Sequence, residues 1–135
     1  MTTTPRIRTL LIEDEDYDVR RVHNTLRPYG HLIQCDDLVS DGYTALELLR
    51  AHPDTFDVVI MDFQIAGGLM GERLISEIKL IDPSVQVIVV TKMTVNVADV
   101  AFANRLMTAG AFWYSASTKR KRCASPSAWA ITRER

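Results

Sequence analysis

The sequence predicts an α/β domain in which a parallel sheet carries helices on both faces. Short apolar runs that stop abruptly at polar residues, such as residues 9–12 and 58–61, are typical of strands buried on both sides. These runs alternate with segments in which apolar residues recur every three to four positions, as in amphipathic helices. Strict alternation favours right-handed crossovers, which place each helix against one face of the sheet or the other.

Strands and helices are predicted to follow one another without interruption. In chain order they are a strand at 9–12, a helix at 16–27, an edge-like strand at 31–35, a helix opened at 40–42 and closed at 52–53, a strand at 57–62, a helix at 71–81, a strand at 85–90, a helix at 95–109 and a strand at 111–114. In the first helix, Val19, Val22 and Leu26 form one apolar stripe that ends before Pro28. The last helix ends at Gly110, a typical C-terminal glycine.

Signals of the same kind define the elements in between. The second helix is opened by Ser40-Asp41-Gly42 and closed by His52-Pro53, because the residue before proline disfavours helix. Asp82-Pro83 stops the third helix in the same way. The run at 85–90 is the most β-branched of the chain, which favours a buried strand.

Length and composition are those of one globular domain. The 135 residues are enough for one hydrophobic core, and 47% apolar with 24% charged residues argues against a disordered chain. A formal net charge of −1 gives no reason to expect nucleic acid as a partner, and no apolar stretch reaches the roughly 18–20 residues of a membrane span. Cys35 and Cys123 match neither a metal spacing nor a disulfide framework, so free thiols in the cytoplasm are expected.

Acidic residues stand where two of the predicted strands end. Glu13 and Asp14 follow the first strand, and Asp62 ends the third. If these strands are neighbours, the carboxylates converge at the sheet edge where open α/β proteins bind ligands. Carboxylates brought together repel one another, and a hard cation such as Mg²⁺ would neutralise them. One carboxylate could then attack an activated phosphorus and form an acyl phosphate.

A phosphoryl group at that edge would also need a hydroxyl and a cation. Thr91 lies at the exit of the fourth strand and is placed to give the hydroxyl. A lysine is expected at the exit of the fifth strand.

In their order and spacing, these segments resemble the receiver domain of two-component response regulators. The resemblance covers residues 6 to about 116 and is carried by residues 10–15, 57–62, 87–91 and 109–111. It implies a doubly wound, flavodoxin-like fold with a five-stranded parallel sheet in the order 2-1-3-4-5. The receiver domain is expected over residues 1–118. The basic tail over 119–135 does not resemble the family's fifth helix, and we expect it to be a short or atypical helix, swapped onto a neighbouring molecule, or partly disordered.

The resemblance assigns a role to each site residue. Asp62 is the phospho-acceptor. Glu13 and Asp14 hold Mg²⁺, directly or through water, together with the backbone carbonyl of Gln64. Thr91 is the switch hydroxyl.

The switch aromatic and the cation fall in the last predicted strand and beyond it. By resemblance, Tyr114 is the aromatic residue whose position reports phosphorylation. The family lysine aligns with Ser117, and Lys119 two residues later is the remaining candidate for the cation. Lys92 stands where the family favours a small residue, so it either crowds the site or supplies positive charge itself.

The function implied is a phosphorylation switch and not an enzyme, beyond self-phosphorylation and self-dephosphorylation at Asp62. Its partners would be a sensor histidine kinase or phosphotransfer protein and a downstream protein, with no membrane or nucleic acid, and a homodimer is left open. The alternative is a degenerate receiver that serves as a phosphorylation-independent docking or dimerisation module, favoured by Ser117 and Lys92. A phosphatase with a nucleophilic aspartate is disfavoured because it would need an acid where Gln64 stands. A flavin carrier is disfavoured because it would need a phosphate-binding loop after the first strand, where acidic residues stand.

Overall fold

Five parallel strands alternate with four α-helices along the described residues of the computed structural model, which are 5–63, 65, 67–91 and 97–115. The elements are β1 (Ile7–Ile12), α1 (Asp16–Leu26), β2 (Ile33–Val39), α2 (Gly42–Ala51), β3 (Val58–Asp62), α3 (Gly71–Ile81), β4 (Gln86–Thr91), α4 (Val97–Ala109) and β5 (Ala111–Ser115). The strand order is β2-β1-β3-β4-β5, which confirms the predicted doubly wound sheet. Within the described helices, no segment has the length and apolar character needed to cross a membrane.

The register of the two central strands brings their ends to one edge of the sheet. β1 pairs with β3 so that Ile12 lies opposite Met61. Glu13 and Asp62 are the next residues of the two strands, so both leave the sheet at the same level. On the other side of β3, Asp62 lies opposite Val90 of β4.

The core lies on the sheet face that α2, α3 and α4 cover. Alternate strand residues on this face, including Leu10, Val59, Met61 and Val87, have no solvent exposure. They form one cluster with apolar residues of the helices, namely Ala45, Leu46, Leu49, Leu74, Ile75, Ile78 and Leu106. This packing fixes the sheet rigidly beneath the edge where Glu13 and Asp62 emerge.

The predicted bounds of β2 were wrong at both ends, and β1 begins at Ile7, two residues before the predicted start. β2 spans Ile33–Val39, whereas the sequence predicted a strand at 31–35. The second half of the strand was not predicted because Asp36 and Asp37 interrupt its apolar pattern. These carboxylates are exposed, since β2 is an edge strand with a neighbour on one side only. The chain also stays helical slightly past α1, because Arg27–Tyr29 form a 3-10 turn that includes Pro28.

Two signals predicted from the sequence are found at helix ends, at the start of α2 and at the end of α4. Asp41 caps α2, since its side chain accepts hydrogen bonds from the main-chain N–H and the hydroxyl of Thr44, both at 2.8 Å. Gly110 follows α4 with a φ of 102°, the left-handed conformation that glycine adopts without strain. The basic tail at 119–135 lies outside the described residues.

Replacement of Gly42 is predicted to destabilise the fold, because α2 begins in close contact with the loop before α3. A β-carbon at Gly42 would lie 2.6 Å from the carbonyl oxygen of Leu69 and 3.1 Å from Leu74 Cδ1. Gly42→Ala should therefore lower the free energy of unfolding by about 1–3 kcal/mol. Gly30→Ala is the matched control, because its nearest neighbour would be at an ordinary 3.4 Å. Equal urea midpoints for the two variants would contradict this packing.

Asp57, immediately before β3, links this strand to β1 at the sheet edge opposite Glu13 and Asp62. It accepts hydrogen bonds from the Arg8 main-chain N–H at 2.9 Å, from Nε at 3.2 Å and from Nη2 at 3.1 Å. The guanidinium holds the pKa of Asp57 below its usual value. A carboxyl group whose pKa is lowered by folding stabilises the fold above its unfolded pKa, about 3.9, and loses that contribution as pH falls.

Asp57→Asn is predicted to cost about 0.5–1 kcal/mol at pH 7, a modest value because the pair is half exposed. The difference from the parent should shrink as the pH falls below about 4, where the parent carboxylate also becomes protonated. Urea unfolding at several pH values measures it, with Glu47→Gln on the exposed side of α2 as control. A difference that persists unchanged to pH 2 would show that charge is not its cause.

Candidate metal centre

Three carboxylates from three different elements meet at the carboxyl edge of the sheet. Glu13 follows β1, Asp62 is the last residue of β3, and Asp18 lies in the first turn of α1. One oxygen of each lies within 4.8 Å of those of the other two. The convergence of Glu13 with Asp62 is the arrangement that the strand order predicted.

The cluster is largely withdrawn from solvent. Glu13 is 6% exposed and Asp18 is 7% exposed, whereas Asp62 is half-buried. Glu13 turns back on its own loop, because its Oε1 accepts hydrogen bonds from the main-chain N–H groups of Asp14 at 3.0 Å and Glu15 at 3.1 Å. Its own N–H donates to the carbonyl of Val39 at the end of β2. Hydrogen bonds thus fix both the side chain and the main chain of Glu13.

Burial and neighbouring negative charge both disfavour the ionised form of Glu13. The pKa of Glu13 is raised to about 7, chiefly because the carboxyl group is buried. The hydrogen bond from the N–H of Glu15 lowers it, and the neighbouring charge of Asp62 contributes to the rise. Near neutral pH the site therefore resists holding all its negative charge. A bound cation would favour the ionised form and lower this pKa.

The donor set fits a hard divalent cation such as Mg²⁺. Mg²⁺ takes oxygen ligands at 2.0–2.1 Å in octahedral geometry, so oxygens on opposite sides of the ion are about 4 Å apart. The spacing within 4.8 Å lets the three carboxylates share one ion, with water completing the coordination. The residues that would hold the ion are Glu13, Asp18 and Asp62.

Asp18 is the site residue that sequence reasoning missed. Beside Asp62, the strand-end pattern pointed to Glu13 and Asp14 only. The side chain of Asp14 is exposed, and the carboxylates that converge among the described residues are those of Glu13, Asp18 and Asp62. A signal was available: Asp18 lies four positions before Val22, which places a carboxylate on the inward side of α1. A charged residue on an apolar helix face indicates either a partner or a ligand.

The other predicted site residues are only partly described. Thr91 ends β4 opposite Ser115, one position beyond Val90, and so leaves the sheet at the same edge as Asp62. Tyr114 lies in β5 opposite Val90. The side chains of Thr91 and Tyr114 lie outside the described part of the structure.

Gln64, Lys92, Ser117 and Lys119 also lie outside the described residues. The roles assigned to Asp14, Gln64, Thr91, Tyr114 and Lys119 stay predictions.

Comparison with known families identifies the class of protein. The model of the response regulator receiver domain family matches residues 9–114, which is most of the chain. The chain belongs to this family. A search of the curated proteins found none that matches.

Solved structures of receiver proteins share the fold of this chain. A response regulator receiver domain protein from Clostridium thermocellum is 25% identical, with a TM-score of 0.65 over 93% of this chain and 89% of its own. A LuxR-family two-component response regulator from Aurantimonas is 22% identical, with a TM-score of 0.69 over 96% and 97% of the two chains. A complex of CheX, CheY, BeF3 and Mg from Borrelia burgdorferi matches at 16% identity and a TM-score of 0.65, over 94% and 84%.

Asp62→Asn is predicted to lower the pKa of Glu13, because it removes a neighbouring negative charge while leaving the larger effect of burial. NMR titration of the side-chain carboxyl carbon of Glu13, without divalent metal, measures it. Asp57→Asn, at the opposite end of the same strand, should leave the titration of Glu13 where it is in the parent. Identical Glu13 titrations in Asp62→Asn and the parent would mean that the two carboxylates do not interact.

Proposed function

We propose that this chain is a phospho-accepting receiver in which Asp62 is phosphorylated in a Mg²⁺-dependent reaction. The observation that supports this most strongly is the position of Asp62: it ends the central strand β3, beside two buried carboxylates, in a chain of the receiver family. The donor would be the phosphohistidine of a sensor histidine kinase or of a phosphotransfer protein.

The proposed transfer is an in-line displacement at phosphorus. A carboxylate oxygen of Asp62 attacks the phosphorus, the bond between phosphorus and the histidine nitrogen breaks, and the nitrogen keeps the electron pair. The products are an acyl phosphate on Asp62 and a neutral imidazole, because the other ring nitrogen of the phosphohistidine carries a proton when the bond breaks. Bound Mg²⁺ would supply positive charge that offsets the phosphoryl oxygens.

The chain's own residues orient the acceptor. The parallel pairing of β3 with β1 and β4 fixes the main chain of Asp62, so that its side chain points out of a rigid sheet. Glu13 is held by two N–H groups of its own loop, which positions its carboxylate before an ion arrives. Asp14 and the carbonyl of Gln64 are further proposed ligands from the family resemblance.

The phosphoryl group would then act on neighbouring elements as a local charge. We propose that the hydroxyl of Thr91 turns towards it and that Tyr114 changes position, with Lys119 as the candidate cation. The strands that carry Thr91 and Tyr114 are paired, and α4 packs against β5, which supports a common response of this face. A downstream protein in the cytoplasm would bind that face differently after phosphorylation. No catalysis of an external substrate is proposed.

The test is phosphorylation of the purified chain with labelled acetyl phosphate and Mg²⁺. Asp62→Asn should abolish incorporation, whereas Asp57→Asn, at the other end of β3, should incorporate label as the parent does. Removing Mg²⁺ with EDTA should abolish labelling of every variant. Incorporation into Asp62→Asn equal to the parent would contradict the acceptor assignment.

Beryllofluoride separates the switch from the docking module that Ser117 and Lys92 favour. In the switch, adding beryllofluoride with Mg²⁺ should move the backbone amide resonances around Asp62 and in β4 and β5. Resonances that stay fixed throughout the titration would favour the docking module.

A further inference from the structure

We infer that Asp18 is a direct carboxylate ligand of the divalent ion and ties the first turn of α1 to the phosphorylation site. This inference rests on the proposed function, because it adds a ligand to the proposed metal site. It concerns a residue that neither the motif nor the strand ends point to. The ligand comes from a helix, whereas Glu13 and Asp62 come from the ends of strands.

Position and burial single out Asp18 among the acidic residues of α1. Asp16 and Asp18 both lie in the first turn, but Asp16 is exposed whereas Asp18 is only 7% exposed. An oxygen of Asp18 lies within 4.8 Å of oxygens of both Glu13 and Asp62. The buried carboxylate of this helix therefore faces the same point as the acids of β1 and β3.

The helix alone does not account for a buried carboxylate at this position. Acidic residues in a first turn benefit from the helix dipole, but an exposed side chain such as Asp16 gains this benefit without losing its hydration. Arg21 approaches Asp18 Oδ1 with its Nη1 at 3.6 Å, and its side chain is 45% exposed. That separation exceeds the usual length of a charge-assisted hydrogen bond, so the ion pair is weak.

A shared ion turns the same arrangement from unfavourable to favourable. Without a cation, Asp18 places a third negative charge within 4.8 Å of two other carboxylates, and like charges repel one another. With a divalent cation, each carboxylate replaces a water ligand, and the two positive charges of the ion offset most of the negative charge. Removal of the Asp18 charge should therefore stabilise the metal-free domain and weaken metal binding.

A structural role for Asp18 predicts the opposite sign. If Asp18 served only as a partner for Arg21, for another group of the protein or for the helix dipole, its removal would destabilise the domain equally with and without metal. Metal affinity would then stay that of the parent. Stability measured with and without Mg²⁺ therefore separates the two roles without reference to phosphorylation.

The experiment compares Asp18→Asn with its matched control Asp16→Asn in the full 135-residue chain. Mg²⁺ affinity is measured by calorimetry, and melting temperature is measured in EDTA and in saturating Mg²⁺. Asp18→Asn should bind Mg²⁺ about tenfold or more weakly, melt higher than the parent in EDTA, and gain less from Mg²⁺. Asp16→Asn should match the parent in all three quantities.

Failure of the inference is distinguishable from failure of the proposed function. A parent that binds Mg²⁺ and an Asp18→Asn variant that binds it equally well would overturn the role of Asp18 and leave Asp62 as acceptor. A lower melting temperature of Asp18→Asn in EDTA, with unchanged Mg²⁺ affinity, would assign Asp18 a structural role and also overturn the inference. A parent that binds no Mg²⁺ would overturn both the inference and the proposed metal site.

Discussion

The parallel pairing of β1 with β3 is the constraint on which the rest of this molecule depends. In parallel strands the carboxyl ends lie at one edge, and the register that sets Ile12 opposite Met61 makes Glu13 and Asp62 leave the sheet side by side. A fully buried apolar face holds the two strands in that register, because a slip by one residue would turn apolar side chains away from the core. The chemistry at the edge is thus specified by packing beneath it.

Convergence of carboxylates is energetically unfavourable unless a cation is bound. Glu13 is buried beside Asp62, and its raised pKa reflects that environment. A domain with such a cluster is less stable without a cation than it would be with neutral residues there, and a cation reverses this. In the proposed function, metal binding, phosphoryl transfer and the stability of the domain would therefore be coupled at one edge of the sheet. With Asp18 as a ligand, α1 would share in this coupling.

The sequence was sufficient for the features that follow from periodicity and strand ends. Alternating apolar runs and helical stripes predicted the layered fold, and the acids after the first and third strands predicted the meeting of Glu13 with Asp62. The extent of β2 was not predictable in this way, because Asp36 and Asp37 belong to an edge strand whose exposed side tolerates charge. Asp18 was missed because its place in the site depends on how α1 is rotated against the sheet, which strand-end reasoning does not address.

The most direct measurement is a crystal structure of the protein grown with Mn²⁺ in place of Mg²⁺, in which anomalous scattering locates the ion. We predict one ion at the carboxyl edge of the sheet, bonded to carboxylate oxygens of both Glu13 and Asp62. An ion bound elsewhere, or one that contacts Asp62 with no carboxylate from the end of β1 or from α1, would contradict a shared metal centre.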